Sequence, residues 1–322
     1  MEQNKKERIK KIVSYVGTAL MLVSLWFIGR RLFGYLTAED FDRSFLSSPW
    51  VIMGLFGVAL VEGLGIFLAG INFRSLVRNV SGIPTEPTLA ATVYTSANLY
   101  KYIPGGVLYV AGRNRLAVET EGLGHGKVAF ATVVEGALIA VAAILVAVIN
   151  AFDHTFSYLR QLDALPIIGI VVAIIILAII PVIYVFRHKI STGWKYLTEN
   201  MEELTFAVMF KRFGFALLLM ALWGGSFAAT LALLGQSMTL GLVSTVVGLF
   251  ILSWVAGFLT PGAPSGLGIR EAVMLMFMGG IVDGGLLIVA MIIHRVLTVM
   301  GDLLAYGIAL LYRQITLKNE VS

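Results

Sequence analysis

The sequence predicts an all-α polytopic membrane protein built from two inverted-topology halves, and three observations lead to that prediction. First, 58% of the 322 residues are hydrophobic and only 13% are charged, whereas about a quarter of the residues in soluble domains are charged. Second, apolar runs of about 17–25 residues, the length that crosses a bilayer, recur along the chain. Third, a Pro-Gly pair interrupts the apolar sequence twice, at positions 157 residues apart.

The apolar runs predict a single integral membrane domain over residues 1–322. Two regions, Thr88–Leu116 and Leu242–Gly280, are too long and too interrupted for one plain helix each. The segment Lys189–Lys211 has the pattern of an amphipathic helix on the inner membrane surface. The predicted uninterrupted spans are Ile12–Phe33, Trp50–Ile71, Val128–Ile149, Ile167–Phe186, Phe213–Leu234 and Leu286–Leu311.

The two interruptions have the same construction. The stretches Pro104–Arg113 and Pro261–Arg270 each begin with a Pro-Gly pair and end in an arginine nine positions later. Proline removes a backbone donor and stops a helix, and glycine adds a flexible position. In hydrocarbon such a break is tolerated only where protein or a wet cavity covers the freed backbone. Matching breaks in two halves are typical of a transport site.

Shifting the chain by 157 residues places each span of the first half on a span of the second. The halves are therefore predicted at about 1–160 and 161–322, each with three spans and a Pro-Gly-broken re-entrant helix pair. Three crossings invert the second half relative to the first. The predicted cytoplasmic segments then carry 17 lysines and arginines and the outer segments four, as the positive-inside rule requires. Both termini are predicted in the cytoplasm.

Several function classes lack their sequence signatures. There are no cysteines, and the four histidines do not have metal-ligand spacing. No nucleophile elbow is present, and Gly122–Lys127 is one residue short of a phosphate loop and lacks its Ser/Thr. The net charge of +5 is scattered over short loops. We therefore expect no catalytic residue, metal, cofactor or nucleic-acid partner.

Ionisable residues inside apolar regions are costly to bury and mark candidate sites. Arginine suits a lipid phosphate because its planar fork binds two oxygens at once, and helix amino ends at the breaks add backbone donors. The predicted substrate-binding residues are Asn98, Lys101, Tyr102, Pro104, Gly105, Gly106, Arg113, Glu135, Pro261, Gly262, Gly268, Arg270, Glu271 and Arg295.

A structural alternative stands beside that hypothesis. In it, Arg113 is an ordinary cytoplasmic anchor, and Glu135, Arg270 and Arg295 form structural salt bridges. Two further buried acids are expected to be structural, because nothing in the sequence pairs Glu62 or Asp302 with the breaks.

At these residues the sequence resembles the lysylphosphatidylglycerol synthase transmembrane, or flippase-like domain, family. The resemblance spans essentially the whole chain. Gly136 departs from the family pattern, in which arginine commonly follows the glutamate, and Ala263–Ser265 is also unusual. The features that carry the resemblance are Asn98, Pro104-Gly105-Gly106, Arg113, Glu135, the run Gly266-Leu-Gly-Ile-Arg-Glu271, Arg295 and, more weakly, Asn72-Phe-Arg74.

The resemblance implies a multi-pass protein of a prokaryotic plasma membrane that moves an anionic-headed phospholipid or polyprenyl-phosphate-type lipid between leaflets. In the multiple peptide resistance factor, this domain precedes a soluble lysyltransferase domain, which is not expected in the present sequence. Two alternatives are a phosphatidylglycerol lysyltransferase or glycolipid-pathway enzyme subunit, and a small-solute transporter. The expected partners are membrane lipids, with a homo-oligomer or a lipid-biosynthetic enzyme as further candidates.

Overall fold

The structure is a computed structural model that describes residues 48–83, 86–102, 108–161, 205–260 and 266–321. Within these ranges the chain is helical, and they contain no strand. A 3₁₀ turn at Tyr100–Tyr102 follows the second helix. The α-helices are α1 (Pro49–Ser81), α2 (Pro87–Leu99), α3 (Leu108–Glu121), α4 (His125–Gln161), α5 (Phe206–Leu233), α6 (Leu240–Leu259), α7 (Ile269–Met278) and α8 (Gly284–Val321).

Five of these helices, α1, α4, α5, α6 and α8, are long and apolar enough to cross a membrane. Much of their exposed surface is also apolar: on α1, Trp50, Met53 and Leu64 are all more than half exposed. Apolar residues inside and outside are the pattern of a helix bundle that lies in lipid. The described part of the chain is therefore an all-α membrane protein with several spans, as predicted.

Four of the six predicted uninterrupted spans fall within the described residues, and α1, α4, α5 and α8 extend beyond them. The helices continue past the apolar runs because polar residues on the next turns still form helix. The predicted spans Ile12–Phe33 and Ile167–Phe186 lie outside the described residues, as does most of the predicted amphipathic helix Lys189–Lys211.

Helices end next to both predicted interruptions. The described helical structure extends to Tyr102 on one side of the first interruption and begins at Leu108 on the other, and α6 ends at Leu259. Thr260 is extended, with φ −89° and ψ 106°, as expected for a residue that precedes a proline. The helices that precede the two interruptions differ in length: α2 has 13 residues and α6 has 20. At 1.5 Å per residue α6 is about 30 Å long, enough to span a bilayer as well as to form one arm of a re-entrant pair.

The helix packing has a counterpart in each half. Within the first half, α1 packs on α2 and α4, and α3 packs on α2 and α4; in the second, α5 packs on α6 and α8, and α7 packs on α6 and α8. Between halves, α4 packs on α6 as α8 packs on α2, and α8 packs on α1 as α4 packs on α5. A further contact joins α1 to α5, the first described helix of each predicted half.

Two of these crossings depend on glycine. A Cβ at Gly301 of α8 would lie 2.7 Å from the Glu62 Cβ and 2.9 Å from the Gly63 nitrogen of α1. A Cβ at Gly248 of α6 would lie 2.7 Å from the Ala151 Cβ of α4. Small residues allow helix backbones to approach closely in membranes. The α1–α8 crossing therefore holds Glu62 close to the middle of α8.

Candidate functional site

A cavity of about 420 Å³, including its open mouth, lies between the helices of the second half. Its polar wall holds two arginines and one carboxylate, and its apolar wall holds aromatic and methionine side chains. Tyr102, from the turn that precedes the first interruption, also reaches it. The lining residues used below are Tyr102, Phe250, Arg270, Glu271, His294 and Arg295.

Arg270 is the predicted site residue with the least conventional environment. Its guanidinium lies over the Phe250 ring, 5.1 Å from the ring centroid. Within the described residues no carboxylate oxygen lies within 4 Å of it. Its stem packs where only glycine fits, since a Cβ at Gly257 would lie 2.6 Å from the Arg270 Cγ. Gly266 meets the same stem and has φ +68°, a conformation that favours glycine.

Glu271 and Arg295 form the ionic part of the cavity wall. One Glu271 oxygen accepts hydrogen bonds from Arg295 Nε at 3.0 Å and from Nη2 at 2.7 Å. The other accepts from the backbone N–H of Gly268 at 2.7 Å, which caps the amino end of α7. The structure thus brings together four predicted residues, Gly268, Arg270, Glu271 and Arg295. Two arginines face one carboxylate, so the cavity wall carries an excess positive charge.

Arg113 lies in a different environment, although it was predicted by the same pattern. It is 3% exposed and donates to the Glu135 carboxylate, which is 6% exposed. Its guanidinium also lies 4.0 Å from the Tyr94 ring centroid and 4.7 Å from that of Phe73. This arrangement is a buried ion pair between two aromatic rings. The structural alternative therefore describes the geometry of Arg113 and Glu135 better than it describes Arg270.

A second arginine lies near this pair and was not among the predicted site residues. Arg212, at the start of α5, is 8% exposed and donates to the backbone carbonyl of Asn72 at 2.7 Å and to the Ser75 hydroxyl. With Glu135 it lines a smaller cavity of about 280 Å³. In the sequence, Arg212 follows Lys211 at the edge of an apolar run and has the pattern of a loop anchor. Arg212 is buried against α1, whose Asn72 is 140 residues earlier in the sequence.

The two arginine sites are formed by helices that occur in the same order along the chain. Arg113 on α3 lies over Tyr94 of α2, beside Glu135 of α4 and Phe73 of α1. Arg270 on α7 lies over Phe250 of α6, in a cavity that α8 and α5 also line. The helices α7, α6, α8 and α5 follow one another in the same order as α3, α2, α4 and α1, so each arginine contacts the corresponding helices, although Arg113 is ion-paired and Arg270, among the described residues, is not.

The residues before the first interruption have a partner that sequence reasoning did not assign. Asp302, on α8, is 1% exposed. It accepts from Asn98 Nδ2 at 2.8 Å and from the Tyr102 hydroxyl, and it pairs with Lys101 Nζ at 2.7 Å. The expectation that nothing pairs Asp302 with the breaks was therefore wrong. The partners are about 200 residues apart in sequence, so no local spacing could reveal them.

Glu62 also has partners from the second half of the chain. Its carboxylate contacts the Ser226 hydroxyl of α5 and lies 3.7 Å from His294 Nε2 of α8. All three residues are buried. His294 lines the Arg270 cavity, so Glu62 contacts a residue of the cavity wall without lining the cavity itself.

The remaining predicted site residues, Pro104, Gly105, Gly106, Pro261 and Gly262, lie outside the described residues. Within the described ranges no group of three or more acidic, histidine or cysteine side chains is arranged to hold a metal ion. Comparison of the chain with protein-family models and with curated protein sequences finds no match. The resemblance to the flippase-like family therefore stays a prediction from the residues quoted for it.

Proposed function

We propose that the chain is a lipid translocase, which moves a lipid with an anionic, phosphate-containing head group between the leaflets and does no chemistry on it. The observation that carries the proposal is Arg270. It lies in a cavity with Arg295 and a single carboxylate, and within the described residues it has no carboxylate within 4 Å. A bound phosphate would supply the second negative charge, and the arginine fork matches two of its oxygens.

The equivalence of the two sites supports movement of the lipid between leaflets as well as its binding. Each site holds an arginine against an aromatic ring, Arg113 buried and Arg270 half-buried. Each site also has a second arginine and a glutamate nearby, although Arg212, near the Arg113 site, comes from the second half of the chain. The helix contacts pair corresponding helices, and the positive-inside count favours an inverted arrangement of the halves about an axis in the membrane plane. In that arrangement the Arg113 site faces the cytoplasmic leaflet and the Arg270 site faces the outer leaflet.

Leaflet exchange in reconstituted vesicles tests the proposal. Purified chain is placed in phosphatidylcholine vesicles with a trace of fluorescent phosphatidylglycerol, and a membrane-impermeant reductant bleaches the outer leaflet. We expect the inner-leaflet probe to become accessible in vesicles with protein and to stay protected in vesicles without it. A fluorescent phosphatidylcholine probe is the matched control, because its head group has no net negative charge, and it should exchange more slowly.

Two results would count against the proposal. Equal protection of the anionic probe in vesicles with and without protein would show that the chain does not translocate it. Equal exchange of the two probes would show that transport does not select for the net negative charge of the head group.

A further inference from the structure

A buried pair of titratable groups, Glu62 and His294, adjoins the Arg270 cavity and is not used by the proposed lipid site. Glu62 is 4% exposed and His294 is 4% exposed. Glu62 Oε1 lies 3.7 Å from His294 Nε2, close enough for an ion pair but not for a hydrogen bond. Within the described residues, no lysine or arginine nitrogen lies within 4 Å of the Glu62 carboxylate.

The hydrogen bonds around His294 determine which ring nitrogen carries its proton. Thr230 Oγ1 lies 2.9 Å from the Ser226 carbonyl and 3.1 Å from His294 Nδ1. A hydroxyl has one hydrogen, and the carbonyl can only accept it. Thr230 therefore accepts from His294 Nδ1–H. The Nε2 lone pair then faces Glu62, and Nε2 has no hydrogen-bond partner within the described residues.

The same count applies to Glu62. Ser226 Oγ lies 2.7 Å from the Trp223 carbonyl and also against Glu62 Oε1. The single hydroxyl hydrogen cannot serve both acceptors, so either the Trp223 carbonyl or an ionised Glu62 is left without it. A buried carboxylate without a donor is unfavourable. A proton on Glu62 would remove the buried negative charge by making a neutral acid. A proton on His294 Nε2 would instead pair that charge with an imidazolium.

Charged groups reach this pair from the helices around it. Arg270 on α7 and Arg295 on α8 interact electrostatically with His294. Lys101, Asp302 and Arg270 interact electrostatically with Glu62. The other faces of His294 are covered by the Phe227 and Phe250 rings, each with its centroid 5.2 Å from that of the imidazole. Apart from its partner Glu62, the charges that act on the imidazole are therefore the two arginines of the anion cavity.

We propose that Glu62 and His294 form a proton-binding site, and that one proton is taken up from water when an anion occupies the Arg270 cavity. The inference rests on the proposed function, because it takes that cavity as the anion site. An anion between Arg270 and Arg295 offsets the positive charge that opposes a proton on the neighbouring pair. By linkage, the proton also strengthens anion binding, so affinity falls by up to about tenfold per pH unit as the pH rises through the titration.

Infrared difference spectroscopy of the purified full chain tests this. The carbonyl stretch of a protonated carboxylic acid is followed from acid to alkaline pH, with and without the anion. Two probes separate a lipid head group from a free anion: dihexanoyl-phosphatidylglycerol and inorganic phosphate. We expect one titrating band that is lost in Glu62→Gln. At least one probe should move the midpoint of that band to higher pH in the parent chain, and His294→Gln should change the midpoint in the absence of the anion, because His294 is the neighbour of Glu62. His154→Gln is the matched control, because His154 binds the Phe277 carbonyl away from the cavity and should leave the band and its movement unchanged.

Calorimetry of the parent chain in two buffers with different ionisation heats keeps the test independent of the variants. Proton uptake on binding either probe supports the inference; binding without uptake, or no binding by either probe, overturns it. A band that persists in Glu62→Gln also overturns it. These results are distinct from failure of the proposed function, since vesicle exchange at one pH tests translocation and does not depend on the proton.

Discussion

Replacing Arg270 by lysine is expected to slow the exchange of fluorescent phosphatidylglycerol by about tenfold or more, because hydrogen bonds to charged groups contribute about 1.5–3 kcal/mol each. Lysine keeps the charge and loses the planar fork, so only two-oxygen binding is removed. The measurement is the initial rate of inner-leaflet bleaching in vesicles of matched protein content. Arg113→Lys should also slow exchange, since the proposal gives the two arginines equivalent roles.

The matched control is Arg115→Lys. Arg115 is exposed on α3 and pairs with Glu119 at 2.7 Å, so the same change there should leave exchange at the parental rate. If Arg270→Lys folds and exchanges like the parent, the fork is not needed for transport. If it fails to fold or to insert, Arg270 is a structural residue and the proposed site is wrong.

Replacing Glu135 by glutamine is expected to destabilise the fold by roughly 3–5 kcal/mol, the usual effect of removing one partner of a buried ion pair. Arg113 would keep its charge while it lies 3% exposed between two rings. The unfolding temperature in detergent, followed by intrinsic fluorescence, reports the change. Glu119→Gln, in an exposed pair, should have no measurable effect. Equal unfolding temperatures for the parent and Glu135→Gln would show that Glu135 is not what compensates Arg113.

Much of the helical framework could be predicted from hydropathy. The apolar runs located α1, α4, α5 and α8, because a helix that crosses a bilayer must be about this long and must expose apolar side chains to lipid. Pro261 marked the end of α6 for a local reason, because the proline ring disfavours a helical conformation in the residue before it and Thr260 is extended. The ends of the helices were less accurate. Arg74 and Arg78, beyond the predicted span Trp50–Ile71, lie within α1, because charged residues at a membrane surface still form helix.

The candidate site was predictable only in part. The run from Gly268 to Glu271 contains both the first residues of α7 and the carboxylate that caps them. Arg295 lies on the next helix, so local spacing suggested this cluster. Arg212 and Asp302 gave no such signal, because their partners are about 140 and 200 residues away in sequence. Such pairs depend on which helices cross. The close approach of Gly63 and Gly301 places α1 against α8, and no periodicity within either helix contains that information.

The sidedness of two equivalent loops tests most directly the claim that the arginine sites serve opposite leaflets. The chain has no cysteine, so Gly124→Cys, between α3 and α4, and Gly280→Cys, between α7 and α8, each introduce a single thiol. Both glycines are exposed, and a Cβ would meet nothing within 4 Å. In intact cells a membrane-impermeant maleimide should label Gly280→Cys at once and Gly124→Cys only after permeabilisation. Labelling of both variants from the same side would contradict inverted halves, and with them the transfer of a lipid from one arginine site to the other.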